Sequence, residues 1–134
     1  MAFVQWNDAL VTGHAEIDAD HKKLVSYVNE LHEALSKGKG KDVLGPILDK
    51  LIVYTRQHFA REEMVWAAGR YPQLATHKKQ HADLLATVDD FKKQYDTGKI
   101  LLTLEVMDFL GDWLTKHILG SDVVAAKVCH LVPA

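Results

Sequence analysis

Residues 58–81 read HFAREEMVWAAGRYPQLATHKKQH. The central AAGRYP, residues 67–72, carries a glycine and a proline, which end one helix and let another begin. Upstream of it His58 and Glu62 stand four residues apart, and downstream His77 and His81 do the same. Residues three or four apart share one face of a helix. Followed outward, each pair lies inside an apolar stripe: Leu44, Ile47, Leu51, Tyr54, His58, Glu62 and Val65 before the break, and Leu74, His77, His81, Leu84, Val88, Phe91 and Tyr95 after it. The spacing predicts helices from about Lys41 to Trp66 and from about Pro72 to Tyr95. Pro46 suits the first of these only in or near its opening turn.

The flanking sequence extends the pattern. After an irregular arm over residues 1–17, Asp18 is a candidate cap for a helix that SKGKG (36–40) ends, with the stripe His21, Leu24, Val28, Leu31, Leu35. A further helix is predicted from about Thr103 to Leu119 on Val106, Leu110, Trp113 and His117. Four amphipathic helices on short turns pack as an all-α, up-down-up-down four-helix bundle. Residues 1–134 then form a single domain, with the bundle over about 18–122 and a tail over 123–134. In that topology His21, His58, Glu62, His77, His81 and His117 all fall at the same end. Buried imidazoles with neither protons nor metal to organise them are costly, so the convergence points to metal.

HILGSD (117–122) adds a second carboxylate. Five residues along a continuous α-helix rotate a side chain about 140° away. Asp122 therefore reaches the cluster only if the helix breaks, and Gly120 and Ser121 are the expected break. Five imidazoles and two carboxylates exceed one ion and suit two. Such donors accommodate iron, copper, nickel or zinc, and six-coordination with bridging carboxylates favours iron. If both carboxylates bridge beside one solvent-derived oxygen, three histidines fill one ion and two leave the other with an open position.

Composition narrows the function classes. A net charge of -2 and a pI near 6.4 give no electrostatic footprint for nucleic acid or an anionic membrane. No stretch approaches the roughly 20 apolar residues of a membrane span. MAFVQWNDALVTG has no basic start followed by an apolar run, and a lone Cys129 excludes an internal disulfide, so a cytoplasmic location is expected.

These motifs, His21 in IDADHKKLV, HFARE, HKKQH and HILGSD, together resemble the hemerythrins, specifically their single-domain bacterial members. The resemblance covers nearly the whole chain. It implies two non-haem Fe ions (Fe2+/Fe3+) bridged by Glu62, Asp122 and an oxo/hydroxo ligand. His77, His81 and His117 would sit on the saturated iron, with His21 and His58 on the iron with the open position. It further implies reversible O2 binding for storage, delivery or sensing, an O2 pocket of Leu24, Phe59, Trp113, Leu114 and Ile118, and NO, azide or other small anions as alternative ligands. Two positions depart from the family pattern: DVVAAKVCHLVPA carries no tyrosine after Asp122, and His14 stands where an apolar residue is more usual.

The competing class is a di-iron oxidase or peroxidase on a ferritin-like bundle, or a redox- or NO-sensing domain. Ferritin-like sites use a glutamate-rich set, whereas this one is histidine-rich, which favours binding over turnover and a protein that is not an enzyme. The other histidines read as non-ligands: His14 and His130, in arm and tail, as solvated, and His32, about 16 Å along its helix from His21, as too far to share its metal. Glu63, rotated about 100° from Glu62, is expected to face solvent or cap charge rather than bind iron. Trp6 and Trp66 read as packing between arm and bundle.

Overall fold

The structure is a computed structural model and describes residues 3–129. A short 3-10 turn (Asp8–Leu10) leads into α1 (Ala15–Ser36), α2 (Lys41–Ala68), α3 (Leu74–Asp96) and α4 (Leu104–His117). A π-helical turn (Ile118–Asp122) and a short α5 (Val123–Val128) follow. The four long helices make the expected up-down-up-down bundle. Among the described residues no helix is long and apolar enough to cross a membrane.

The first helix starts earlier than Asp18. His14 caps it, with its Nδ1 accepting from the Ile17 N–H at 3.3 Å. Asp18 instead sits inside the first turn and reaches back to the arm, accepting from the Thr12 N–H (2.8 Å), the Thr12 hydroxyl (2.7 Å) and the Gly13 N–H (3.2 Å). The arm, irregular but for the 3-10 turn, is packed against the bundle. Val4, Leu10 and Thr12 are buried, and Val4 and Asn29 exchange two hydrogen bonds of 2.7 and 2.9 Å. Phe3 stacks on His32 with ring centres 4.1 Å apart, so that histidine anchors the arm. The same ring explains Gly111, where a Cβ would lie 2.8 Å from Phe3.

Two further details differ from expectation. Pro46 stands beyond the first turn of α2, so the backbone bond that an N–H there would give to Asp42 is forgone. On α4 the buried residues are Met107, Gly111, Leu114 and His117; of the expected stripe His117 is buried, whereas Val106, Leu110 and Trp113 are only partly so. The reason is lateral packing. The α1–α2 pair packs most extensively, α4 leans on α1 and the arm, and α3 and α4 meet only sparsely.

Part of the expected tail is helical. Ala125 and Ala126 of α5 pack with Ile17 and Trp66, which is fully buried there, between α1, α2 and α5 rather than against the arm. Trp6 does pack beside the bundle, under Lys22. His130 lies outside the described residues. A long apolar cluster runs through the bundle and this smaller one closes its end. The polar cluster lies between them: His21 falls between Ile17 and Leu24 on α1, and Glu62 between Leu51 and Trp66 on α2.

Candidate metal centre

All seven predicted residues meet at that end, and each is buried. Side-chain atoms of Glu62, His77, His81, His117 and Asp122 lie within 4.8 Å of one another, as do those of His21, His58, Glu62 and Asp122. The two groups share both carboxylates. Each carboxylate divides its oxygens between them. Glu62 Oε1 lies 2.7 Å from His77 Nε2 and 3.0 Å from His81 Nε2, while Oε2 lies 2.9 Å from His58 Nε2 and 3.2 Å from His21 Nε2. Asp122 Oδ1 lies 2.9 Å from His77 Nε2 and 3.2 Å from His117 Nε2, while Oδ2 lies 3.0 Å from His21 Nε2. Every histidine therefore presents Nε2 inward.

The delivery of Asp122 corrects the expectation of a broken helix. His117 through Val123 keep right-handed helical dihedrals at both ends of the turn, and the Val123 N–H bonds the Ile118 carbonyl five residues back. This is a π-helical turn, wider than an α-turn, of the kind that recurs at functional sites. Widening lets residues five apart return to one face without any break. Gly120 has open space at its Cβ position and no left-handed backbone, so nothing in the turn requires glycine.

Electrostatics show what the donor set suits. Burial works against charge on His21 and His77, but Asp122 and Glu62 outweigh it and raise both to about 9; His117 is raised for the same reasons. Burial likewise opposes ionisation of Glu62 and Asp122. The surrounding histidines overcome it and hold both carboxyls below the usual carboxylate range. Yet neither oxygen of the fully buried Asp122 is in hydrogen-bond geometry with any partner. Three histidine nitrogens, of His77, His117 and His21, nevertheless lie 2.9–3.2 Å from those oxygens. Nitrogen and oxygen donors converging in that way fit a pair of cations.

A family model described as a hemerythrin HHE cation binding domain matches residues 12–127. The chain belongs to the hemerythrin family. Similar to it are a bacteriohemerythrin of Pseudomonas aeruginosa, 33% identical over 122 residues that cover 91% of this chain and 78% of that protein, and one of Methylococcus capsulatus, 32% identical over 119 residues that cover 88% and 90%. A crystal structure of wild-type hemerythrin superposes with a TM-score of 0.90 at 29% identity, covering 99% of this chain and 100% of that one.

Around the seven converging side chains stand groups whose contacts the sequence does not specify. Glu63 does not simply face solvent: its Oε2 accepts from His81 Nδ1 at 2.8 Å. Asp20, buried one residue before His21, accepts from His58 Nδ1 at 2.9 Å. Trp66 Nε1 donates to His77 at 3.3 Å. Phe59 stacks flat on His81 and Trp113 on His117, with centres 3.7 and 4.4 Å apart. Leu24, Phe59, Trp113 and Leu114 also line an apolar cavity of about 50 Å³ that continues along the bundle to Leu48 and Val88. Ile118 does not line it and packs in the long core cluster.

Proposed function

We propose that the seven side chains hold two iron ions and that this centre binds O2 reversibly. The observation that carries the reading is the division of the carboxylate oxygens. Oε1 and Oδ1 face three histidines, His77, His81 and His117, whereas Oε2 and Oδ2 face two, His21 and His58. With Glu62 and Asp122 as bridges and one oxo or hydroxo ligand between the ions, the two-histidine side keeps one coordination position open. When bound, the iron pair supplies electrons that O2 takes up on binding and returns on release.

The chain's own side chains position and shield. Glu62 and Asp122 would hold both ions, and the five Nε2 atoms would complete the two sets of donors. Leu24, Phe59, Trp113 and Leu114 wall the approach with hydrocarbon, which keeps water and protons from the ligand position. Thr55 is the one polar residue among the cavity's lining, and its hydroxyl is committed to the Leu51 carbonyl at 2.7 Å. A wall without a free acid or base supports binding over turnover. Azide, NO and other small anions take the same position. A lone thiol, Cys129, suits a reducing compartment, and we place the protein in the cytoplasm.

The test is metal analysis after reconstitution with ferrous iron, followed by anaerobic optical titration with O2 and purging with argon. Two irons per chain and a spectrum that reverts on purging are expected. Stoichiometric zinc that iron cannot displace overturns the metal assignment, and a spectrum that never reverts moves the protein to the oxidase class.

A further inference from the structure

The two groups of histidines are braced differently. On the three-histidine side His81 leans on Glu63, whose side chain is 27% exposed. On the two-histidine side His58 leans on Asp20, whose side chain is only 4% exposed. Asp20 is itself held from two more directions: its Oδ1 accepts from the Tyr54 hydroxyl at 2.5 Å and from Arg61 Nη1 at 3.4 Å. Tyr54, His58 and Arg61 are spaced four and three apart, so α2 presents them as one ridge. Asp20 comes from α1 and docks on that ridge. Adjacent residues of α1 are thus split, His21 into the centre and Asp20 behind the next helix's histidine.

We infer that Asp20 is a positioning residue that fixes His58 as its Nδ1–H tautomer and, under the opposing pull of Tyr54 and Arg61, sets the reduction potential of the ion His58 faces. The inference rests on the iron reading above. A carboxylate accepting from a ligand histidine orients the ring and makes its other nitrogen a stronger donor. A stronger donor favours the higher oxidation state of the metal. Burial increases the effect, because the field of Asp20 is less screened than that of the more exposed Glu63. Tyr54 and Arg61 work the other way by drawing charge from Asp20.

Ionisation of the network agrees with this direction of hydrogen bonding. Burial pushes the Asp20 carboxyl up, but Tyr54, His58 and Arg61 together hold it below the usual carboxylate range. The Tyr54 hydroxyl, desolvated and bound to that carboxylate, is pushed up to about 12. The contacts themselves fix the direction: the Tyr54 hydroxyl, His58 Nδ1 and Arg61 Nη1 all meet oxygens of Asp20, which accept in each bond.

A merely structural role and a tuning role separate by sign. Asp20→Asn removes the charge behind His58 and should shift the midpoint potential of the iron-loaded protein upward. Tyr54→Phe removes a competitor for that charge and should shift it downward. Glu63→Gln should shift it less than Asp20→Asn. An optical redox titration of the three variants beside the parent reads this, with circular dichroism as the check on folding. A second readout is the His58 Nδ1–H resonance in the zinc-loaded protein, expected to move upfield in Asp20→Asn and downfield in Tyr54→Phe. Shifts of the same sign in both variants, or no shift in either, overturn the inference. A Glu63→Gln shift equal to or larger than that of Asp20→Asn overturns the asymmetry. If the parent takes up no iron, the preceding section's reading fails, and the imidazole resonances decide this one alone.

Discussion

Glu62 and Asp122 face the two groups of histidines in the same sense, each turning one oxygen to the group of three and the other to the group of two. Removal of either carboxylate therefore affects both metal positions. Glu62→Ala should lower iron from two per chain to one or none, and it leaves five imidazoles without their central anion. Breaking a buried ionic pair costs about 3–5 kcal/mol, and folding is linked to metal uptake, so a large fall in thermal midpoint should accompany the loss. An intact two-iron spectrum in Glu62→Ala would contradict the bridge.

The metal-free chain should have an unusual pH profile. His21 and His77 ordinarily titrate near 6.5 and are raised to about 9 in the fold. A raised basic group contributes stability that is fully present below pH 6.5 and fades as pH climbs through about 9. Glu62 and Asp122 are shifted down, so their contribution is present above their ordinary values of 4.5 and 3.8 and fades in acid. Without metal, stability should peak near pH 5–6 and decline toward 9. With metal in place of the protons that decline should vanish. Denaturant midpoints at three pH values, with and without chelator, measure it. A metal-free protein equally stable at the acidic and alkaline ends of that range would refute the account.

Gly120→Ala tests how Asp122 is delivered. If the backbone needed a glycine break, the variant would lose the carboxylate and with it metal. The helical dihedrals of the π-turn and the open space at position 120 give the opposite expectation. Metal content should be unchanged, and the thermal midpoint equal or higher, since alanine is preferred to glycine in a helix by about 1 kcal/mol.

Leu114→Ala and Leu31→Ala separate a pocket wall from plain core. Both leucines are buried, and truncation of either should cost about 2–5 kcal/mol. Only Leu114 lines the cavity beside Phe59 and Trp113. Its loss should admit water and shorten the lifetime of the oxygenated form in air, leaving an O2-inactive diferric protein, while Leu31→Ala keeps the parent's lifetime. Equal lifetimes for Leu114→Ala and the parent would remove Leu114 from the wall.

The convergence of the seven side chains was legible because helical spacing and bundle direction constrain the same residues independently. His58 and Glu62 had to share a face, and the alternation of chain direction had to bring that face's end to His21, His77 and His117. What escaped was whatever depends on a neighbouring helix. Asp20 and Glu63 each adjoin a ligand in sequence, and rotation by one residue takes them away from that ligand. The same rotation carries Asp20 to His58 and Glu63 to His81, which only the packing of α1 on α2 and α2 on α3 determines. The stripe on α4 was misjudged in part for a related reason, because spacing does not say which neighbour a helix leans on. The π-turn was missed because a single α-helical period was assumed throughout.

The sparse meeting of α3 and α4 gives the two metal positions unequal mechanical duties. His21 and His58 come from α1 and α2, the most extensively packed pair, so the two-histidine position is framed before any ion arrives. His77 and His81 come from α3 and His117 from α4, two helices whose backbones approach each other only sparsely. An ion held by those three is a rivet across an open joint. Its departure frees the ends of α3 and α4 to part, whereas departure of its neighbour leaves the stronger joint closed.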